Sequence, residues 1–225
     1  MPNTKFSWRA LREHLRKYFL IYLLGIALCL FGTGMLWTMT QPRLKNEEVV
    51  TVCLTANYSD PEPLETVAQH MLEQTQSYDS TLKSVEFESL LYADELYTSP
   101  MLLTTRMAVG ECDAFLASQS AMDALVGSRG IVPLDDAVAG GWLSEYGLEP
   151  YYVTWEDEDT GESVTFLAGL RLDGVNALRE MGAFDNDGAF LCVATNGGNV
   201  ETTMKALETM MSDLTEANHA GTKAA

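Results

Sequence analysis

The chain has 225 residues, 47% of them hydrophobic, and 14 Lys and Arg stand against 32 Asp and Glu for a net charge of −18. So negative a balance repels nucleic-acid phosphates and anionic lipid head groups, which excludes a nucleic-acid-binding role. The four cysteines form no Cys-x-x-Cys pair and have no histidine nearby, so no zinc site of the usual spacing is present.

Residues 1–17 form a basic tail in which Lys5, Arg9, Arg12, Arg16 and Lys17 face a single acid, Glu13. Tyr18 to Met39 then runs 22 positions without a charge, and about 20 apolar residues suffice to cross the hydrocarbon core as a helix. Residues 18–39 thus read as a transmembrane helix. Only Arg43 and Lys45 follow closely, so the excess of cations orients the N-terminus to the cytoplasm and the C-terminal part outside the cell membrane. Trp8, Tyr18 and Trp37 fall where interfacial anchors belong. A cleaved signal is the competing reading, but its apolar core usually spans about 7–15 residues and ends in a small-x-small site. Met35-Leu-Trp-Thr-Met-Thr-Gln41 offers no such site. Cys29 follows Leu28, where a lipidated cysteine needs Gly or Ala, so it reads as a small side chain facing lipid or another helix.

A polar tether at 40–48 leads to residues 49–215, long enough for one domain or two very small ones and read as one, and 216–225 read as a disordered tail. Five cations and one acid precede the span, so the remainder carries nine Lys and Arg against 31 Asp and Glu, a net −22. Val49–Thr55 is a continuous β-branched and apolar run, expected of a central strand covered on both faces. Asp60-Pro61 opens a helix on which Leu64, Val67, Ala68, Met71 and Leu72 form one apolar stripe; His70 projects away from it and reads as solvated. Thr81–Glu88 alternates, with Lys83, Val85 and Phe87 opposite Ser84, Glu86 and Glu88, as an edge strand does. Ser99-Pro100 starts a helix that Gly110 ends. Asp113–Ala117 is a short buried strand, and Ser118-Gln119-Ser120 caps a helix that stops near Gly127. Gly130–Pro133 then leads to a further helix start at Leu134-Asp135-Asp136.

Tyr151–Trp155 and Ser163–Ala168 flank the acidic Glu156–Gly161 and predict a hairpin. Neither that tip nor Asp185–Gly188 has the twelve-residue ligand spacing of a calcium loop. Asp173–Met181 is a short helix stopped by Gly182, and Ala189–Thr195 is another apolar strand. Asn199 caps the last helix, whose buried stripe is Val200, Thr203, Met204, Leu207, Met211 and Leu214. Strands alternating with helices predict an α/β domain with a mostly parallel sheet and right-handed crossovers. Cys53, Cys112 and Cys192 each fall in or beside a buried strand, where free cysteine behaves as a small hydrophobe. A Cys53–Cys112 bridge is open if their strands are neighbours.

Thr104-Thr-Arg-Met-Ala-Val-Gly110 before Asp113-Ala114-Phe115, with Val132-Pro133-Leu134-Asp135-Asp136 downstream, resembles the extracellular solute-binding proteins that serve bacterial ABC importers. In that family a helix ending in a small residue and Gly precedes an Asp-containing strand. The closing strand and long helix resemble the way the family completes the lobe joined to its N-terminus. The resemblance implies a periplasmic-binding-protein-like fold of type 2. Full members insert a second lobe between the positions matching Asp136 and the return strand. That interval is too short here, which implies a single lobe with a small hairpin insertion.

In open parallel sheets ligands sit beyond the C-terminal strand ends, among polar elbows and helix N-termini. That rule selects Asn57-Tyr58-Ser59, Ser118-Gln119-Ser120 and Thr195-Asn196-Gly197, with Trp142, Tyr151, Tyr152 and Trp155 as a stacking face. The candidate ligand-binding residues are Asn57, Tyr58, Ser118, Gln119, Trp155 and Asn196, suited to a sugar, a peptide or a small anion. The competing reading is that the elbows only cap helices and the aromatics only pack. His70 and His219 are the only histidines past the span, and no Gly-x-Ser-x-Gly, His-Glu-x-x-His, Walker or Gly-x-Gly-x-x-Gly pattern occurs. No catalytic residue, metal site or cofactor is therefore expected. The expectation is a non-enzymatic, single-pass membrane protein that binds a small solute or acts as accessory to an ABC importer, docking on its permease or on a full-length solute-binding protein. The alternative is an interaction or sensory module with a vestigial pocket.

Overall fold

The computed structural model describes residues 8–40, 44–93, 98–135, 146–156, 163–184 and 189–224, in two units, 1–43 and 44–225. Asp136, Trp142, the acidic hairpin tip beyond Glu156 and the Asp185–Gly188 turn lie outside the described residues.

In the first unit, α1 is one helix, Trp8–Thr40. Its 33 residues at about 1.5 Å each reach roughly 50 Å, well beyond the roughly 30 Å of a hydrocarbon core. The basic turns with Arg12, Arg16 and Lys17 therefore continue the same helix instead of forming a separate tail. The stretch Arg16–Met35 has a mean hydropathy of 2.0 and no buried residue. The helix is thus long and apolar enough to cross a membrane.

The second unit is built on one six-stranded sheet of order β2-β1-β3-β6-β5-β4. The strands are β1 Val49–Ala56, β2 Ser84–Leu91, β3 Ala114–Ala117, β4 Glu149–Glu156, β5 Ser163–Arg171 and β6 Phe190–Val193. β1 runs parallel to β2 and β3, whereas β6 is antiparallel to β3 and β5, and β4 to β5. The α/β class is as expected and the sheet is mixed: four strands run one way, β4 and β6 the other. The hairpin also differs from a separate insertion. Through Leu170↔Leu191 and Arg171↔Phe190 it joins β6 and forms the outer part of the same sheet.

The described helices of this unit are α2 Glu65–Gln76, α3 Thr98–Val109, α4 Gln119–Gly127, α5 Ala177–Glu180 and α6 Val200–Ala224. The step from β1 to β2 and the return from β2 over β1 to β3 go in opposite directions, so right-handed crossovers put α2 and α3 on opposite faces. Two buried clusters follow. Val50, Val52 and Leu54 of β1 meet Met71 of α2, Leu178 of α5, and Leu207 and Met211 of α6 on one face. On the other, Cys53, Phe115, Phe166 and Cys192 meet Leu103 and Met107 of α3 and Met122 and Leu125 of α4. The final helix passes Glu216 without a break and runs to Ala224, taking in the segment read as a disordered tail. Ala217 and Ala220 favour the helix there and no proline interrupts it.

Because β1 and β3 are neighbours, Cys53 and Cys112 come together with a Cα–Cα distance of 5.9 Å and form a disulfide, fully buried at both ends. Cys192 is a free buried thiol whose pKa burial pushes up to about 12. Cys29 is free and exposed on α1.

Candidate functional site

One row of the sheet organises the candidate site. Leu90, Thr55, Ala117, Phe190, Arg171 and Glu149 stand side by side across β2, β1, β3, β6, β5 and β4. The chain leaves β1 and β3 just beyond that row, and the strand order reverses about β1, which makes the gap between β1 and β3 a topological switch point. The backbone N–H of Ser118 donates to the carbonyl of Thr55 at 2.9 Å and fastens the two elbows together. Ser118 caps α4 by accepting from the Ala121 N–H at 3.4 Å, while Gln119 reaches Asp123 one turn on at 2.9 Å. Asn57 is exposed and Tyr58 is 64% exposed. Ser59 forms an isolated bridge to Phe184, and its hydroxyl lies 2.7 Å from that of Ser89 at the end of β2.

Four of the six predicted residues, Asn57, Tyr58, Ser118 and Gln119, thus share one edge of the sheet. Asn196 does not join them. Because β6 is antiparallel to β3, with Ala114 opposite Val193 and Ala117 opposite Phe190, its C-terminal end lies at the N-terminal edge of β1 and β3. At about 3.3 Å per residue a four-residue strand separates the two edges by roughly 13 Å. The elbow at Thr195-Asn196-Gly197 therefore belongs to the opposite edge, contrary to the expectation from a parallel sheet. Trp155 is corrected for the same reason: it pairs with Val164 at the start of β5, far from Arg171 at its end. There its ring packs on Phe166 at 4.3 Å between centroids beneath the Arg129 guanidinium at 5.9 Å. Tyr151 packs on Phe190 at 4.8 Å, and among the described residues of that expected face only Tyr152 remains exposed, at 55%. Tyr151, Tyr152 and Trp155 do not form a common stacking face.

No protein-family model matches the chain, and no curated protein matches it.

At the edge shared by Asn57 and Ser118, the first turn of α4 supplies N–H groups that no intrahelical carbonyl can satisfy, beside two carboxamides and a phenol. Arg171 adds a cation that the sequence reading missed. Its guanidinium lies 5.5 Å over the Phe190 ring and 2.7 Å from Asp173, in the same row as Thr55 and Ala117. The available signal was its place as the last residue of a strand in a domain with few cations. Among the described residues no group of three or more His, Cys, Asp or Glu could hold a metal ion. The arrangement can form hydrogen bonds on an open face.

The opposite edge is a structural clasp. The Asp113 carboxylate, 4% exposed, accepts from the Thr51 N–H at 2.7 Å and from the Gly198 N–H. Burial pushes its carboxyl above the ordinary carboxylate range, against the pull of those two amides. Gly110 closes α3 at φ +73°, where a Cβ would stand 2.5 Å from the Asn196 carbonyl. Asn196 thus serves packing through its backbone.

Proposed function

We propose that the protein is a single-pass membrane protein carrying one lobe of the solute-binding-protein kind outside the cell, and that it acts as a non-enzymatic accessory to an ABC importer. Its docking face is the edge bearing Asn57, Tyr58, Ser118 and Gln119, which meets the permease or a full-length solute-binding protein. The observation that carries this reading is the joining of β4 and β5 to the single sheet. The described elements between β3 and β6 add to this lobe or pack on it, so the exposed elbow residues face outward with nothing described to close over them. A buried Cys53–Cys112 disulfide supports an oxidising compartment for the domain, which agrees with the cation bias across α1. The strand returning beside β3 into the long α6 supports the type 2 periplasmic-binding-protein-like assignment.

A second reading, capture of a small solute such as a sugar or a peptide at the same edge, is favoured by the capped α4 N-terminus and by Arg171 in one row. The test isolates the full chain from its own membranes in mild detergent and identifies co-purifying proteins by mass. The docking reading expects importer subunits that are lost on Tyr58→Asp. Retention of the same partners by Tyr58→Asp and by Gln119→Arg would refute it, and a rise in melting temperature with one solute class, abolished by Ser118→Ala, would favour the second reading.

A further inference from the structure

We infer that the groove between α2 and α6 is a binding site for a neutral polyhydroxylated molecule, a saccharide or polyol. The groove encloses about 410 Å³, within the roughly 300–1,000 Å³ typical of small-molecule sites. It lies on the helical face of the domain, made by helices and not by the strand-end elbows. His70 and Gln74 of α2, Lys205, Glu208 and Ser212 of α6, and Tyr146 line it, and every residue of its wall has a hydrogen-bonding side chain. The wall is more polar than apolar.

The charges decide the class. In a domain of net charge −22 the one lysine of this groove is already neutralised. Lys205 is ion-paired with Glu208, and His70 Nδ1 lies 2.8 Å from the Asp213 carboxylate. Lys205, the cation of the wall, already has its carboxylate, so an anion meets no free positive charge, and among the described residues no group of three or more His, Cys, Asp or Glu could hold a metal ion. Hydrogen-bonding capacity remains. Gln74 Nε2 stands 3.2 Å from His70 Nε2 and keeps a second N–H and its carbonyl oxygen. Lys205 keeps further N–H groups, Glu208 keeps acceptor sites, and the Ser212 hydroxyl both donates and accepts. A ligand hydroxyl also does both, so a set of mixed donors and acceptors with no free cation fits several neighbouring hydroxyls on one molecule. Ordinary burial of α2 against α6 needs only the apolar stripe of Met71, Leu207 and Met211 on the inner side, so packing does not account for this outer groove.

The test uses the full chain in lipid nanodiscs, which carry no sugar head groups, with isotope-labelled histidine, and His70→Gln assigns the His70 imidazole signal. Glucose and maltotriose are the probes, with glucose 6-phosphate and glucuronate as charged counterparts. The inference expects the His70 signal to move saturably with a neutral probe. Gln74→Ala or Lys205→Met should each weaken that binding roughly tenfold, as loss of one or two hydrogen bonds would. Tyr58→Asp, which disrupts the docking face, should leave it unchanged. No movement with either neutral probe overturns the inference, as does binding indifferent to both groove variants. Movement with only the charged counterparts overturns the assignment to a neutral ligand.

Discussion

At the scale of single residues, Asp113 and His70 do the most and were the hardest to read. Asp113 joins residues 62 and 85 positions away in sequence, and nothing in the local pattern Glu-Cys-Asp-Ala announces either partner. Asp113→Ala would leave the buried amides of Thr51 and Gly198 without acceptors, so a loss of about 2 kcal/mol is expected, measured by denaturant unfolding. His70 reads from sequence as a solvated residue on the polar side of α2. It is indeed exposed, but it meets Asp213 across 143 positions. The hydrogen bond to Asp213, then its charge, raise the His70 pKa. The folded state therefore holds the proton more tightly than the unfolded chain, whose histidine titrates near about 6.5. The pair's contribution is fully present below that value and is lost as pH rises through the higher folded pKa. Unfolding midpoints should fall across that window, and His70→Gln should remove that part of the slope.

At the scale of elements, the existence of each described strand and α-helix of the second unit was legible, because apolar period, caps and breakers are local chemistry. Ser118 caps α4, Asn199 caps α6 by accepting from Thr202, and Gly110 and Gly182 take the left-handed conformation expected of helix stops. Strand direction was not legible. A four-residue run such as Phe190–Val193, buried at every position, is equally apolar read either way. Only its register with Ala114–Ala117 shows that β6 runs against β3, and that reversal carries Asn196 to the wrong edge. Two stability changes belong here. The disulfide closes a loop of 59 positions, and in the chain-entropy account its removal by Cys53→Ala with Cys112→Ala costs about 4 kcal/mol. In α2 the buried Thr75 hydroxyl has no hydrogen-bond partner among the described residues. Thr75→Val should accordingly raise stability by about 1 kcal/mol, read as a higher denaturant midpoint.

At the scale of the whole molecule, an apolar helix and an acidic α/β domain are joined in one chain. In the proposed arrangement α1 anchors the domain at the membrane surface, where the effective concentration of a membrane-embedded partner is high without any additional contact. A weak docking face then suffices, which fits an edge made of Asn57, Tyr58, Ser118 and Gln119 with no deep cavity of its own among those described. The measurement that bears most directly on this account places a photo-crosslinking side chain at Tyr58, and in a separate chain at Asn196, in cells with intact membranes. The account predicts adducts from position 58 to an importer permease or a solute-binding protein, and none to those partners from position 196. Adducts to the same partner from position 196 alone, or an absence of importer components at both positions, would contradict it.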